Sequence, residues 1–104
     1  MINSSRLNTL YIGYTKSSAE DGDKFMKILA DAEIDSLQNL SFNRERNWFK
    51  GRDECLASLL VLLARQTTLK SLEMEFNELS EAQKQQICDV VEQTAANCEI
   101  KKLD

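Results

Sequence analysis

The sequence predicts an α/β chain of stacked strand–helix units, a solenoid. Two observations carry this. A leucine template recurs as Leu7-x-x-Leu10-x-Ile12, Leu37-x-x-Leu40-x-Phe42, Leu69-x-x-Leu72-x-Met74 and Ile100-x-x-Leu103, with starts at residues 7, 37, 69 and 100. A fixed period near 30 residues marks repetition of one supersecondary unit. Between the templates, apolar residues change from alternating to helical spacing.

Each strand signal is half polar, as in a sheet with one buried face. Leu10, Ile12, Leu40, Phe42, Leu72 and Met74 form the inward row. Helix signals follow at i, i+3, i+4, i+7. They are Phe25, Ile28, Leu29 and Ala32, then Leu56, Leu59, Leu60 and Leu63, then Ile87, Val90, Val91 and Thr94. Ser80-Glu81-Ala82-Gln83 reads as a capping box for the third helix. Ser17 or Ser18, with Glu20 and Asp21, marks the start of the first. Asn97 is the expected stop of the third, and Gly51 the turn before the second. A doubly wound sheet also alternates strands and helices. Its strands are buried on both faces and read as near-continuous Val/Ile runs, unlike the short, half-polar strands here.

The segment Leu69 to Leu79 resembles the leucine-rich repeat consensus LxxLxLxxNxL, with Asn77 at the asparagine. Thr15 and Glu45 stand at that position in the first two units. The unit length and long helices are similar to the ribonuclease-inhibitor-like subclass. The resemblance covers residues 7–104 and implies a right-handed solenoid, a horseshoe segment with short parallel strands on the concave face and helices on the convex face. It also implies protein–protein interaction as the role. The expected organisation is one domain over 1–104, with units 7–36, 37–68 and 69–99. A fourth strand follows at 100–104, and 1–6 form the tail of a preceding unit. Stacked repeats usually end in polar caps, and neither end reads as one. The expectation is a piece of a longer array, or a subunit whose bare ends pair with other copies.

Composition excludes several chemistries. The 104 residues include no histidine, which removes Ser-His-Asp and Cys-His nucleophile systems and histidine-ligated zinc. Cys55, Cys88 and Cys98 match no CxxC signature, and three thiols that cannot all pair favour a reducing compartment. A net charge of −4 weighs against general nucleic-acid or anionic-membrane binding. No apolar run nears the roughly 20 residues of a membrane span, and residues 1–6 show no secretory h-region. A cytoplasmic location is expected, and a bacterial effector delivered to a host cytosol fits it equally.

Alternation places Thr9, Tyr11, Gly13, Asn39, Ser41, Asn43, Ser71, Glu73, Glu75, Lys102 and Asp104 on the outward face. Tyr11, Asn39, Ser41, Glu73 and Glu75 are the candidate partner contacts there, suited to a protein with a basic patch. Arg44 to Arg52 carries four bases and one acid and the only tryptophan. Arg44, Arg46 and Trp48 are the candidate loop contacts, since Arg and Trp are enriched in interface hot spots. The same loop suits single-stranded nucleic acid. Alternatively, Trp48 and Phe49 fold back to seal the core. Ser71 to Glu81 holds four glutamates and no base, so the two loops should attract. Tyr14 is a further candidate anchor. Glu73 and Glu75 as an acid/base pair lack any pocket motif. Asp21-Gly22-Asp23 lacks the spacing of a calcium loop, and Gly13 and Gly51 form no phosphate loop. The expectation is a non-enzymatic protein-binding module without cofactor or metal. The rivals are a structural assembly subunit, a single-stranded nucleic-acid binder and a regulatory enzyme domain for which no catalytic residue is recognisable.

Overall fold

Four strands and four helices lie along residues 7–104, which the structure, a computed structural model, describes. The tail expected at residues 1–6 lies outside the described residues. The order is β1 (Thr9–Gly13), α1 (Ala19–Asp31), β2 (Asn39–Asn43), α2 (Arg46–Phe49), α3 (Glu54–Leu63), β3 (Ser71–Glu73), α4 (Glu81–Thr94) and β4 (Glu99–Lys101). The strands form one parallel sheet in the order β1-β2-β3-β4. Leu10, Leu40, Leu72 and Ile100 are paired in register across it. The single turn α2 was not expected. It occupies the segment that the sequence leaves as a loop before Gly51, whose φ of +63° suits a residue without Cβ.

Helices α1 and α4 start where the polar signals place them. The Ser18 side chain accepts from the Asp21 backbone N–H at 3.1 Å. Ser80 and Gln83 complete a reciprocal capping box. Asn97 lies in the turn that follows α4. Helix α1 packs on α3, and α3 on α4, in the order of the strands.

The inward row meets the helices in one hydrophobic cluster. Leu40, Phe42, Leu72 and Met74 are buried, whereas Leu10, Ile12 and Ile100 are half-buried. The outer strands have a neighbour on one side only, which accounts for the difference. Two expected inward residues of the first helix face solvent, Ile28 at 65 % exposure and Ala32. Gly22, Met26, Leu29 and Ala30 supply the buried stripe of α1 instead. That phase is set by Trp48, which lies so close to Gly22 that an added Cβ would sit 2.5 Å from its ring.

Buried side-chain amides tie successive strand–helix segments together. Gln66 donates to the Ile34 and Leu62 carbonyls and accepts from Leu37 N–H. Gln83 donates to the carbonyls of Phe49 and Arg52 at 2.7 and 2.8 Å. A buried backbone group left unpaired costs about 1–3 kcal/mol, so these amides make neighbouring segments interdependent.

The fourth unit departs from the expected frame. In the sequence, aligning Ile100 with Leu69 places Lys102 and Asp104 on the outward face. Ile100 instead pairs with Leu72. Glu99 and Lys101 therefore take the outward positions. Lys102 leaves the extended backbone with φ +48°, and Asp104 caps the neighbouring loop by accepting from Phe76 N–H at 2.6 Å.

Candidate functional site

The outward face of the sheet is a polar surface whose groups bond mainly to one another. Tyr11 is its most open residue at 73 % exposure. Asn39 donates to Thr9 Oγ1 at 3.3 Å and accepts from Ser71 Oγ at 2.8 Å. Asn43 donates to Ser41 Oγ and to Glu73 Oε2 at 2.9 and 3.0 Å. Ser41 shares this face but is only 3 % exposed. It lies between Tyr11 and Glu73 in the register, and the Asn43 amide occupies its hydroxyl. Glu75 pairs with Lys102 at 3.6 Å. Glu73 and Glu75 thus meet an amide and an ammonium, respectively.

Beyond the strand ends the three loops continue in register. Tyr14 N–H donates to the Asn43 carbonyl at 3.0 Å, and Arg44 N–H to the Glu75 carbonyl at 2.8 Å. This aligns Tyr14, Arg44 and Phe76 in one column. Thr15, Glu45 and Asn77 form the next, and Lys16, Arg46 and Glu78 the third. The middle column faces inward. Asn77 donates to the Phe42 carbonyl at 2.7 Å and accepts from Glu45 N–H at 2.8 Å. Glu45, 3 % exposed, then accepts from the Thr15 backbone N–H and hydroxyl, both at 3.0 Å. Glu45 therefore supports the preceding loop as Asn77 supports its own neighbour.

The flanking columns face outward and enclose a cleft of about 520 Å³ lined by Tyr14, Lys16, Arg44, Glu45, Arg46, Asn47, Phe76 and Glu78. Tyr14 and Phe76 are 60 % and 51 % exposed. The Lys16 ammonium lies 5.1 Å from the Tyr14 ring centre, and the Arg44 guanidinium 5.3 Å from that of Phe76. Arg46 and Lys50 both reach Glu78, at 2.9 and 3.0 Å, which is the attraction between oppositely charged loops expected from the sequence. These two cations hold the Glu78 carboxyl below its usual range. Lys16 and Arg44 form no ion pair among the described residues. Tyr14, Lys16, Arg44, Phe76 and Glu78 all adopt positive φ, which costs an L-residue about 1–2 kcal/mol each. Such outliers concentrate at binding and catalytic sites.

Of the three expected loop contacts, Arg44 and Arg46 line the cleft and Trp48 does not. Trp48 is 2 % exposed. Its ring centre lies 5.8 Å from that of Phe25 and 6.4 Å from those of Phe42 and Phe49. Burying large rings removes more apolar area from water than a mobile loop contact would, so both Trp48 and Phe49 seal the core. Single-stranded nucleic acid consequently finds no stacking tryptophan here. Lys16 and Phe76 are cleft residues that sequence reasoning missed. They lie one period from Arg46 and Arg44, and aligning the units beyond their strands would have found them.

The remaining reactive groups are held in the fold. Arg52 reaches Asp23 at 2.7 Å, and this bond holds the Asp23 carboxyl below its usual range. Cys55 donates to Asp23 at 3.1 Å. Burial, with the adjoining Asp23 carboxylate, pushes its thiol up to about 12, far from a reactive thiolate at neutral pH. Burial also raises Cys98. All three cysteines are unpaired. No described helix is long and apolar enough to cross a membrane. No protein-family model, curated protein or solved structure matches the chain.

Proposed function

We propose that the chain is a protein-binding module of leucine-rich-repeat type, a solenoid segment that presents its open sheet face and the adjoining loops to a protein partner. It acts by rigid display, without catalysis. The single observation that supports this most is the outward face itself. Asn39 and Asn43 fix its polar side chains across strands, while Tyr11 stands 73 % exposed among them. A large ring held on an ordered surface gives contact area at low ordering cost. The recurring template and the inward column ending at Asn77 support the repeat assignment.

The test is site-specific photo-crosslinking in native lysate. A photoreactive residue replaces Tyr11 or Asn39 in turn, with Gln93 on α4 as the control. Position 11 or 39 should capture one protein partner that Gln93 does not, and excess unlabelled chain should suppress it. Capture only from position 93, or recovery of nucleic acid instead of protein, would remove the proposal.

A further inference from the structure

The cleft beyond the strand ends has a ligand chemistry of its own. Its volume of about 520 Å³ falls in the range of ligand pockets. Four cations surround it, Lys16, Arg44 and Arg46 at its wall and Lys50 behind Glu78. Of the two lining carboxyl groups, Glu78 is shared by Arg46 and Lys50. Glu45 turns inward to Thr15. Positive charge is thus left over at Lys16 and Arg44. Both are held over aromatic rings, so part of their rotamer entropy is already lost before a ligand arrives. The exposed parts of Tyr14 and Phe76 supply apolar surface beside those charges.

We infer that this cleft takes a short acidic peptide segment, its carboxylates meeting Lys16 and Arg44 and an apolar side chain packing on Tyr14 and Phe76. The inference deepens the protein-binding role proposed above and rests on it. Two observations favour a peptide over a nucleic acid. The net charge of −4 opposes a long polyanion at a distance. The rings, moreover, each have a face occupied by a cation, which leaves less surface for base stacking.

The experiment is a titration of the isotopically labelled full chain, followed by backbone amide NMR shifts. The probe is a pool of end-blocked octapeptides with glutamate fixed at the third and sixth positions and the rest mixed. A matching lysine pool and an oligothymidine of about ten nucleotides (the length of a typical single-strand site) serve as the other arms. The glutamate pool should shift the amides of Tyr14, Lys16, Arg44 and Phe76, and the lysine pool should not. Arg44→Glu and Lys16→Glu should each weaken binding at least tenfold, with urea midpoints confirming that both variants fold. Binding should also weaken as salt is raised. Absence of shifts with the glutamate pool, tighter binding of oligothymidine, or retention of peptide binding in both folded variants would each overturn the inference. A negative titration alongside partner capture from Tyr11 defeats the cleft alone. Peptide binding without capture defeats the sheet-face role alone.

Discussion

Thr15, Glu45 and Asn77 stand one residue away from Tyr14, Arg44 and Phe76 on the same three loops, and the two columns differ in what they leave free. In the inward column, Asn77 and Glu45 satisfy backbone groups of adjacent loops at 2.7–3.0 Å. In the outward column, the Arg44 guanidinium lies over the exposed Phe76 ring and forms no ion pair among the described residues. The backbone is shared, so the contrast comes from side-chain direction alone. Inward groups have their partners inside the chain and should govern stability. Outward groups keep exposed charge and ring surface and should govern binding.

Trp48 gives the largest test of this division. It belongs to the same basic segment as Arg44 yet faces inward. Trp48→Ala should cost about 3–5 kcal/mol, read as a drop in urea midpoint at unchanged slope. Trp48→Phe should recover much of that. The indole Nε1 is buried with no hydrogen-bond partner among the described residues, so removing it orphans nothing. Equal losses in the two variants would mean that the indole N–H matters and that the inward side is wetter than its burial implies.

Asn77→Ala should come next. It orphans Glu45 N–H and the Phe42 carbonyl, at about 1–3 kcal/mol for each group left dry. Asn77→Asp keeps an acceptor for Glu45 but sets a buried carboxylate against the Phe42 carbonyl, so it should lose at least as much as Asn77→Ala. A loss below about 0.5 kcal/mol for Asn77→Ala, the scale of a neutral surface change, would show that the loops support themselves without the column.

How far these positions could be read from residues alone follows the same division. Strand positions were legible because alternation and the leucine template agree at Leu40, Phe42, Leu72 and Met74. Glu45 was harder, because a carboxyl group replaces the amide there and supplies only the acceptor half of the pattern. Ile28 misled because helical periodicity gives spacing, whereas the phase came from Trp48 against Gly22, a contact between units. The fourth strand misled for a related reason. Two apolar residues, Ile100 and Leu103, fit two frames, and only pairing with Leu72 selects one. The cleft was half legible. Arg44 and Arg46 stood out by charge, whereas Lys16 and Phe76 acquire meaning only once three loops lie side by side.

A smaller effect should appear in acid. Arg52, in the same segment, pairs with half-buried Asp23, whose carboxyl is held below its ordinary 3.8 by that bond. A depressed acid contributes its stability above the unfolded pKa and loses it as pH falls through the folded one. The bridge should therefore contribute fully above about pH 4 and fade below that. Solvent screening keeps it to about 1 kcal/mol or less. Urea midpoints at pH 6 and pH 3 should show a larger fall for wild type than for Asp23→Asn. Identical falls would place the acid sensitivity elsewhere.

The finest test separates strain from charge at Arg44. Its φ is +59°, where an L-residue pays about 1–2 kcal/mol and glycine does not. Glycine carries extra unfolded-state entropy, about 0.5–1 kcal/mol. Arg44→Gly should therefore be about 0.5–1 kcal/mol more stable than Arg44→Ala, with the cation–π contact to Phe76 lost in both. Both variants should lose acidic-peptide affinity equally, because neither offers a cation. A position where glycine folds better than alanine while both lose binding is one whose strained backbone is kept for its side chain. If Arg44→Gly and Arg44→Ala had equal midpoints, the left-handed turn would be relaxed, and the outward column would owe its geometry to the inward bonds of Glu45 and Asn77 alone.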